Sequence, residues 1–209
     1  TKGSILLSIA GVTAPRNQPM AGVEALRQRM LAAFASLHNK DVSGFQTVLA
    51  QPPVYAAYRD YVEGLELYMA SRSTSLAEVA RRFQHAATLD PTFLPARIWT
   101  AQSGMLAGMY EMDEAWARRA DSLISGLQLL RDHLAPFDRA RLDFVVALRA
   151  GDLLARYRAT LRLVDAAPGS FDARREVALS ALGALRPREA LRRLEELDPK
   201  SGLMRGWEG

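Results

Sequence analysis

The sequence Leu-Asp-Pro occurs twice in this chain, each time after a stretch with the apolar spacing of an amphipathic helix. The copies are Leu89-Asp90-Pro91 and Leu197-Asp198-Pro199, which lie 108 residues apart, or three periods of 36. Proline cannot continue an α-helix, so each copy marks a helix end in the same phase. A fixed period of this length is typical of proteins built from stacked helical units. The sequence therefore predicts a mainly α-helical chain of repeated helix pairs.

The composition is that of a packed protein without a membrane span. Hydrophobic residues make up 49% and charged residues 24% of the 209 residues, which is ordinary for a globular chain. The longest apolar run, Ile5 to Val12, is far shorter than the roughly 18 residues of a transmembrane helix. The absence of cysteine excludes disulfides and thiolate-bound metals. It is compatible with the cytoplasm and with an oxidising compartment alike.

The net charge of +4 comes from 27 basic and 23 acidic residues. The two signs alternate along the chain, as they do between Asp138 and Asp143. Such alternation is typical of a solvated helix surface, whereas nucleic-acid-binding proteins concentrate their basic residues in one stripe. The charge pattern therefore argues against nucleic acid as the partner.

Residues 1–53 are predicted to form a separate strand and helix. Ser4 to Val12 is short, apolar and β-compatible, which favours one strand; a buried loop is the alternative. Met20 to His38 carries apolar residues at three- and four-residue steps, which predicts a helix. Phe45 to Ala50 can form a helical turn or two, and Gln51-Pro52-Pro53 ends this element. A lone strand leaves its backbone groups unpaired, so we expect its mate to come from elsewhere.

From Val54 onward the pattern is helix, short break, helix, repeated four times. Ser75 is the predicted N-cap of the second helix, with Glu78 three residues further on, and Asp90 is the predicted cap of the third helix. Short loops predict that the paired helices run antiparallel. The four predicted hairpins are Tyr55–Ala70 with Leu76–Leu89, Thr92–Ala107 with Met112–Leu130, Pro136–Ala150 with Asp152–Ala167, and Phe171–Leu185 with Pro187–Leu197.

Several positions in these hairpins resemble those of the tetratricopeptide repeat. Phe83, Ala86 and Pro91 are spaced like the second helix and terminal proline of that repeat, and Gly64 resembles the small residue where its two helices touch. The resemblance covers residues 54–199. It implies a right-handed α-solenoid of about four hairpins, preceded by one β-strand and a helix from a small α/β element. Further matching positions are Ala101, Pro168 and Pro199.

A wider stretch resembles the repeat region of large bacterial regulatory proteins. The segments that carry this resemblance are Ala56–Gly64 and Phe83–Phe93. In that family a Ser/Thr kinase or winged-helix effector often precedes an α/β lobe and then the repeats. The resemblance implies that residues 1–53 are the end of such a lobe. It also implies that residues 200–209 begin a truncated further repeat or form a tail.

The sequence carries no recognisable catalytic or metal-binding pattern. Its histidines, His38, His85 and His133, lie far apart, and Asp132 beside His133 belongs to a different helix face. Neither G-x-x-x-x-G-K-[ST] nor G-x-G-x-x-G, the glycine loops that bind phosphate, occurs. We therefore predict that the protein is not an enzyme and holds neither a cofactor nor a metal.

The tetratricopeptide resemblance implies a binding surface on the concave side, lined by the first helix of each hairpin. The expected lining is mostly aromatic and apolar, which favours an amphipathic helix or another segment of the same protein as the occupant. The alternative is that these side chains form the core between helices. The residues concerned are Tyr61, Leu65, Tyr68, Trp99, Gln102 and Met105.

Arginines of the fourth hairpin are a second candidate surface. We interpret them as a charged outer face that keeps the last repeat soluble. The alternative is a contact for an anion or an acidic peptide. The residues are Arg174, Arg175, Arg186, Arg188, Arg192 and Arg193.

The sequence thus predicts a non-catalytic scaffold that binds a partner protein or peptide through the concave face of a helical-repeat stack. The alternative is a sensory or regulatory segment of a larger bacterial signalling protein, either a kinase or a transcriptional regulator. In that case the partners would be the flanking domains of the same polypeptide.

Overall fold

In the computed structural model of the chain, residues 9, 11–38, 52–70 and 74–197 are described, and 79% of them are helical. They form nine α-helices and one short 3-10 turn, Arg131–His133, with no strand among them. The protein is therefore mainly α, as predicted. The helices are α1 Pro19–His38, α2 Tyr55–Met69, α3 Leu76–Leu89, α4 Leu94–Tyr110, α5 Glu114–Leu129, α6 Pro136–Ala150, α7 Leu153–Ala166, α8 Phe171–Gly183 and α9 Pro187–Glu195.

Several predictions for the two ends of the chain fall outside the described residues. Most of the predicted strand Ser4–Val12 lies there, as do Phe45–Ala50, Pro199 and residues 200–209. Gly11 and Val12 are described and have no regular secondary structure. The predicted helix Met20–His38 is present as α1, one residue longer at its start.

Most helix ends lie where the local chemistry predicts them. Ser75 is the N-cap of α3, and its hydroxyl accepts the backbone N–H of Ala77. Gly151 ends α6 with a φ of 67°, a left-handed conformation that suits glycine because it lacks a Cβ. Asp152 follows at once and caps α7 through the N–H of Ala155.

The start of α4 differs from the prediction. Asp90 accepts the N–H and the hydroxyl of Thr92 and also the N–H of Val54, so its carboxylate closes a turn and does not cap α4. The helix therefore begins at Leu94, with Phe93 as an N-cap that makes no side-chain bond. The bond from Val54 to Asp90 therefore connects the beginning of the α2/α3 pair to its end.

Consecutive helices pack against each other throughout residues 74–197. The pairs α2/α3, α4/α5, α6/α7 and α8/α9 are the four predicted hairpins, and successive hairpins meet mainly through α3/α4 and α7/α8. The α4 helix also contacts α6. Residues all around α4 are buried, from Pro95 to Ala107, which makes it the central helix of the described structure.

Hydrogen bonds within and between the first two hairpins recur at a spacing of one repeat. Val54 donates its N–H to Asp90 at 3.0 Å, 36 residues away, and the Ser75 hydroxyl donates to Glu111 at 2.9 Å, also 36 residues away. Glu111 additionally accepts the N–H groups of Leu76 and Ala77. Its carboxylate therefore satisfies free donors at the start of α3, where a negative charge is favourable.

The first hairpin is closed by a glycine packed against an aromatic ring. A Cβ added to Gly64 would lie 2.8 Å from one Phe83 ring carbon and 2.9 Å from another. Phe83 has no exposed surface, so its ring has little room to move away. In the second hairpin Gly108 occupies the corresponding close approach, with Ala117 2.7 Å from where its Cβ would be.

Replacement of Gly64 by alanine is expected to destabilise the protein by about 1–3 kcal/mol, because the new methyl group overlaps the Phe83 ring. Gly126→Ala is the matched control, since it lies in α5 with no atom within 4 Å of its added Cβ. That change should stabilise the protein by about 0.5–1 kcal/mol through the backbone entropy of glycine. Urea unfolding of both variants measures the difference, and a Gly64→Ala variant at least as stable as the wild type would contradict the packing described.

Candidate functional site

The structure buries five of the six residues predicted to line a concave groove. Their exposed fractions lie between 0% and 7%, and only Leu65 is half-buried. Their side chains pack between helices, as in the alternative interpretation of the sequence. Whether a partner contacts this side of the molecule stays a prediction. The five buried residues are Tyr61, Tyr68, Trp99, Gln102 and Met105.

Aromatic rings join the first two hairpins. The Tyr61 ring lies 5.6 Å from that of Phe83 and 4.9 Å from that of Phe93. The Trp99 ring lies 5.3 Å from Phe83 and 5.0 Å from Tyr68. Edge-to-face and stacked pairs at these distances add to the stabilisation from burial. Two of the predicted groove residues are therefore the structural link between α2 and α4.

A set of buried polar side chains, which we call the inner polar cluster, extends from Tyr68 and Gln102. It collects one or more residues from the first helix of every hairpin. Gln102 donates to the Tyr68 hydroxyl at 3.1 Å, and that hydroxyl donates to Glu176 at 3.3 Å. The cluster therefore connects the first hairpin with the fourth. Its members are Tyr68, Gln102, Arg141, Asp172, Arg175 and Glu176.

Arg141 is the most deeply buried charge of the inner polar cluster. Only 1% of its surface is exposed, and it forms an ion pair with Asp172. Its guanidinium also lies 4.6 Å from the centre of the Trp99 ring and 5.5 Å from that of Phe137. A cation over an aromatic face is stabilised by the ring quadrupole, most strongly where water is excluded. Arg141 thus contacts side chains of α4, α6 and α8.

The pKa values of the two carboxylates of the cluster are shifted in opposite directions. Burial raises the pKa of Asp172, but Arg141 and Arg175 outweigh burial and hold that pKa below its ordinary value. Burial also raises the pKa of Glu176, and here the nearby Arg175 does not offset burial together with the charge of Asp172. The difference arises because Asp172 is paired with both arginines, whereas Glu176 is paired with Arg175 alone.

Glu176→Gln is expected to change how stability depends on pH. Because the folded-state pKa of Glu176 is raised above 4.5, the folded protein retains a proton that the unfolded chain releases just above that pH. The contribution of Glu176 to the wild-type free energy of unfolding therefore decreases as the pH rises through this range. The variant, which is neutral at every pH, should gain stability relative to the wild type as the pH rises.

Urea unfolding at a series of pH values from 4.5 to neutrality measures this difference between variant and wild type. Glu195→Gln is the control, since Glu195 is exposed on α9 and lies outside the cluster. A difference that stays constant or decreases with rising pH would show that burial does not dominate at Glu176.

Two interpretations of the sequence miss this cluster. The alternating charges from Asp138 to Asp143 were expected on a solvated surface, yet Asp138 and Arg141 are 2% and 1% exposed. Arg175 was expected on an outer face, yet its side chain is 12% exposed and paired with Asp172 and Glu176. The available signal was the spacing of Asp172 and Glu176, which lie four residues apart on one helix face.

The other arginines of the fourth hairpin are mostly paired or stacked. Arg192 and Arg193 both lie within 4 Å of Glu189 and of Glu196. Arg186 lies 5.1 Å from the Tyr157 ring. Arg174 is exposed and donates to the backbone of Pro168. These contacts are those of a solvated charged face.

One histidine has an acidic partner. His85 Nδ1 contacts the carboxylate of Asp60, which is 4% exposed. Within the described ranges, no three His, Asp or Glu side chains are grouped so that they could hold a metal ion. In the same ranges no helix is long and apolar enough to cross a membrane.

Helix α1 presents a continuous apolar face. It packs on α2 with Ala32 and Ala33, which have no exposed surface. Its large apolar side chains are 39–72% exposed. An apolar face of this length marks an interaction site more often than a solvent-facing surface. Its members are Met20, Val23, Leu26, Met30, Leu31, Phe34 and Leu37.

Comparison with protein-family models, with curated proteins and with solved structures found no match for this chain. The tetratricopeptide likeness therefore rests on the residues of this sequence.

Proposed function

We propose that this chain is a non-catalytic interaction scaffold, a stack of helical hairpins of the tetratricopeptide type that binds a partner protein or peptide. The observation that carries the proposal is the recurrence of contacts at one-repeat spacing. Asp90 and Glu111 each bond a residue that precedes it by 36 positions, and Gln102 bonds Tyr68 at a spacing of 34. The bonds of Glu111 and Gln102 join the first hairpin to the second, as a stack of repeats requires.

Two surfaces compete as the place where the partner binds. The first is the concave side predicted from the sequence, where Leu65 is the groove residue with exposed surface. The second is the apolar face of α1, where Phe34 is 56% exposed. The occupant that suits either surface is an amphipathic helix, whose own apolar stripe would cover the exposed side chains.

Site-specific crosslinking distinguishes these surfaces. Phe34, Leu65 and the control Arg118, whose side chain is 73% exposed on α5, are each replaced by p-benzoylphenylalanine and irradiated in source lysate. We expect one discrete adduct from position 34 or 65 that is absent at 118. Identical adducts at all three positions, or none at any, would contradict a scaffold function. Mass spectrometry of the adduct identifies the partner.

Trp99→Ala is unsuitable for testing whether a partner binds the concave side. The side chain is 1% exposed and contacts two aromatic rings and Arg141, so its truncation is expected to cost about 3–5 kcal/mol of stability. Loss of binding in that variant would report unfolding.

The alternative proposal is a sensory or regulatory segment of a larger bacterial signalling protein. The exposed apolar face of α1 supports it, because a neighbouring domain of the same polypeptide could cover that face. In the crosslinking experiment this alternative predicts that the adduct of position 34 forms within one polypeptide when the full gene product is used. An adduct with a separate protein favours the scaffold.

A further inference from the structure

A cleft of about 400 Å³ lies on the side of α4 away from the inner polar cluster. Its walls come from α3, α4 and α5, and we call it the α3–α5 cleft. The polar residues that line it are Gln84, Thr88, Arg97, Thr100, Arg119 and Ser122, and the apolar part of its lining includes Ala87 and Leu123. Its size falls within the usual range of small-molecule sites, about 300–1,000 Å³.

The α3–α5 cleft is cationic. Two guanidinium groups line it, those of Arg97 and Arg119, and none of its lining residues is acidic. A second cleft, between α6 and α7, also has arginines in its lining. There Asp143 accepts hydrogen bonds from both Arg131 and Arg162, at 2.9–3.0 Å, and Asp165 also lines the cleft, so acidic groups already stand beside the basic ones.

The two arginines of the α3–α5 cleft retain free hydrogen-bond donors. Arg97 is half-buried and makes no hydrogen bond or ion pair with any described residue. Arg119 donates one N–H to Gln84 at 2.6 Å and lies 5.4 Å from the Trp116 ring, contacts that fix its position without neutralising its charge. A guanidinium with open donors is suited to bind an oxyanion through two parallel bonds.

We propose that the α3–α5 cleft binds the oxyanion group of a small organic molecule, a phosphate or a carboxylate. Arg97 and Arg119 bind the oxyanion, and the hydroxyl of Ser122 supplies a further donor. Ala87 and Leu123 contact the apolar part of the ligand. This site is independent of the proposed scaffold function, because it lies on different residues from both candidate partner surfaces.

Binding of the probe phenyl phosphate is measured by isothermal titration calorimetry at low salt. Inorganic phosphate and benzoate are the comparison probes: the first lacks the apolar ring and the second replaces phosphate with carboxylate. Phenol is the neutral control. We expect saturable binding of phenyl phosphate, weaker binding of inorganic phosphate and no binding of phenol. Added salt should weaken the binding, because the attraction is electrostatic and partly exposed.

Arg97→Gln and Arg119→Gln are each expected to lower the affinity for phenyl phosphate by about tenfold, since each removes a charge-assisted hydrogen bond. Arg162→Gln, which alters the cleft between α6 and α7, is the matched control and should bind within about twofold of the wild type. Both arginines are at least partly exposed, so circular dichroism should show intact helices in every variant.

Three results would overturn the proposal. One is the absence of saturable binding in the folded wild type. Another is an equal loss of affinity in Arg162→Gln, which would show attraction to overall positive charge. The third is equal binding of phenol, which would show an apolar site without anion recognition. If benzoate binds more tightly than phenyl phosphate, the oxyanion site stands and the ligand is a carboxylate.

Discussion

The buried ion pair between Arg141 and Asp172 is the constraint on which the arrangement of the later hairpins depends. An unpaired guanidinium at a site that is 1% exposed would cost several kcal/mol. Arg141 is compensated only where α8 brings Asp172 to it and α4 places Trp99 against it. A shifted helix would leave a buried charge without a partner. The pair therefore constrains which helices face each other.

Buried polar contacts on the inner side join the first hairpin to the fourth. Tyr68 on α2 reaches Glu176 on α8, so the first helices of the outer hairpins meet across the interior. The buried side chains between these helices include five of the predicted groove residues, and α4 is surrounded by its neighbours. The candidate binding surfaces that retain exposed side chains are the inner side at Leu65, the apolar face of α1 and the cationic α3–α5 cleft.

Helix boundaries were predictable from the sequence because they depend on residues close in the chain. Gly151 and Ser75 act within a turn of their own position, and the predicted hairpins agree with the structure to within a few residues. The contacts that join the inner polar cluster between helices were not predictable, because they link residues 31 to 108 positions apart. An arginine such as Arg141 has the same local pattern whether it faces water or a buried aspartate. Asp90 was misassigned for the same reason, since one of its donors, Val54, lies 36 residues away.

The α4 helix links the inner polar cluster to the α3–α5 cleft through opposite faces. Gln102 points into the cluster and Arg97 lines the cleft. At about 100° per residue, the five steps between them place the two side chains about 140° apart around the helix. The helix cannot rotate to adjust Arg97 without breaking the bond from Gln102 to Tyr68 and the contact of Trp99 with Arg141. The cluster thus fixes the side of α4 on which Arg97 lies, so that its side chain lines the cleft.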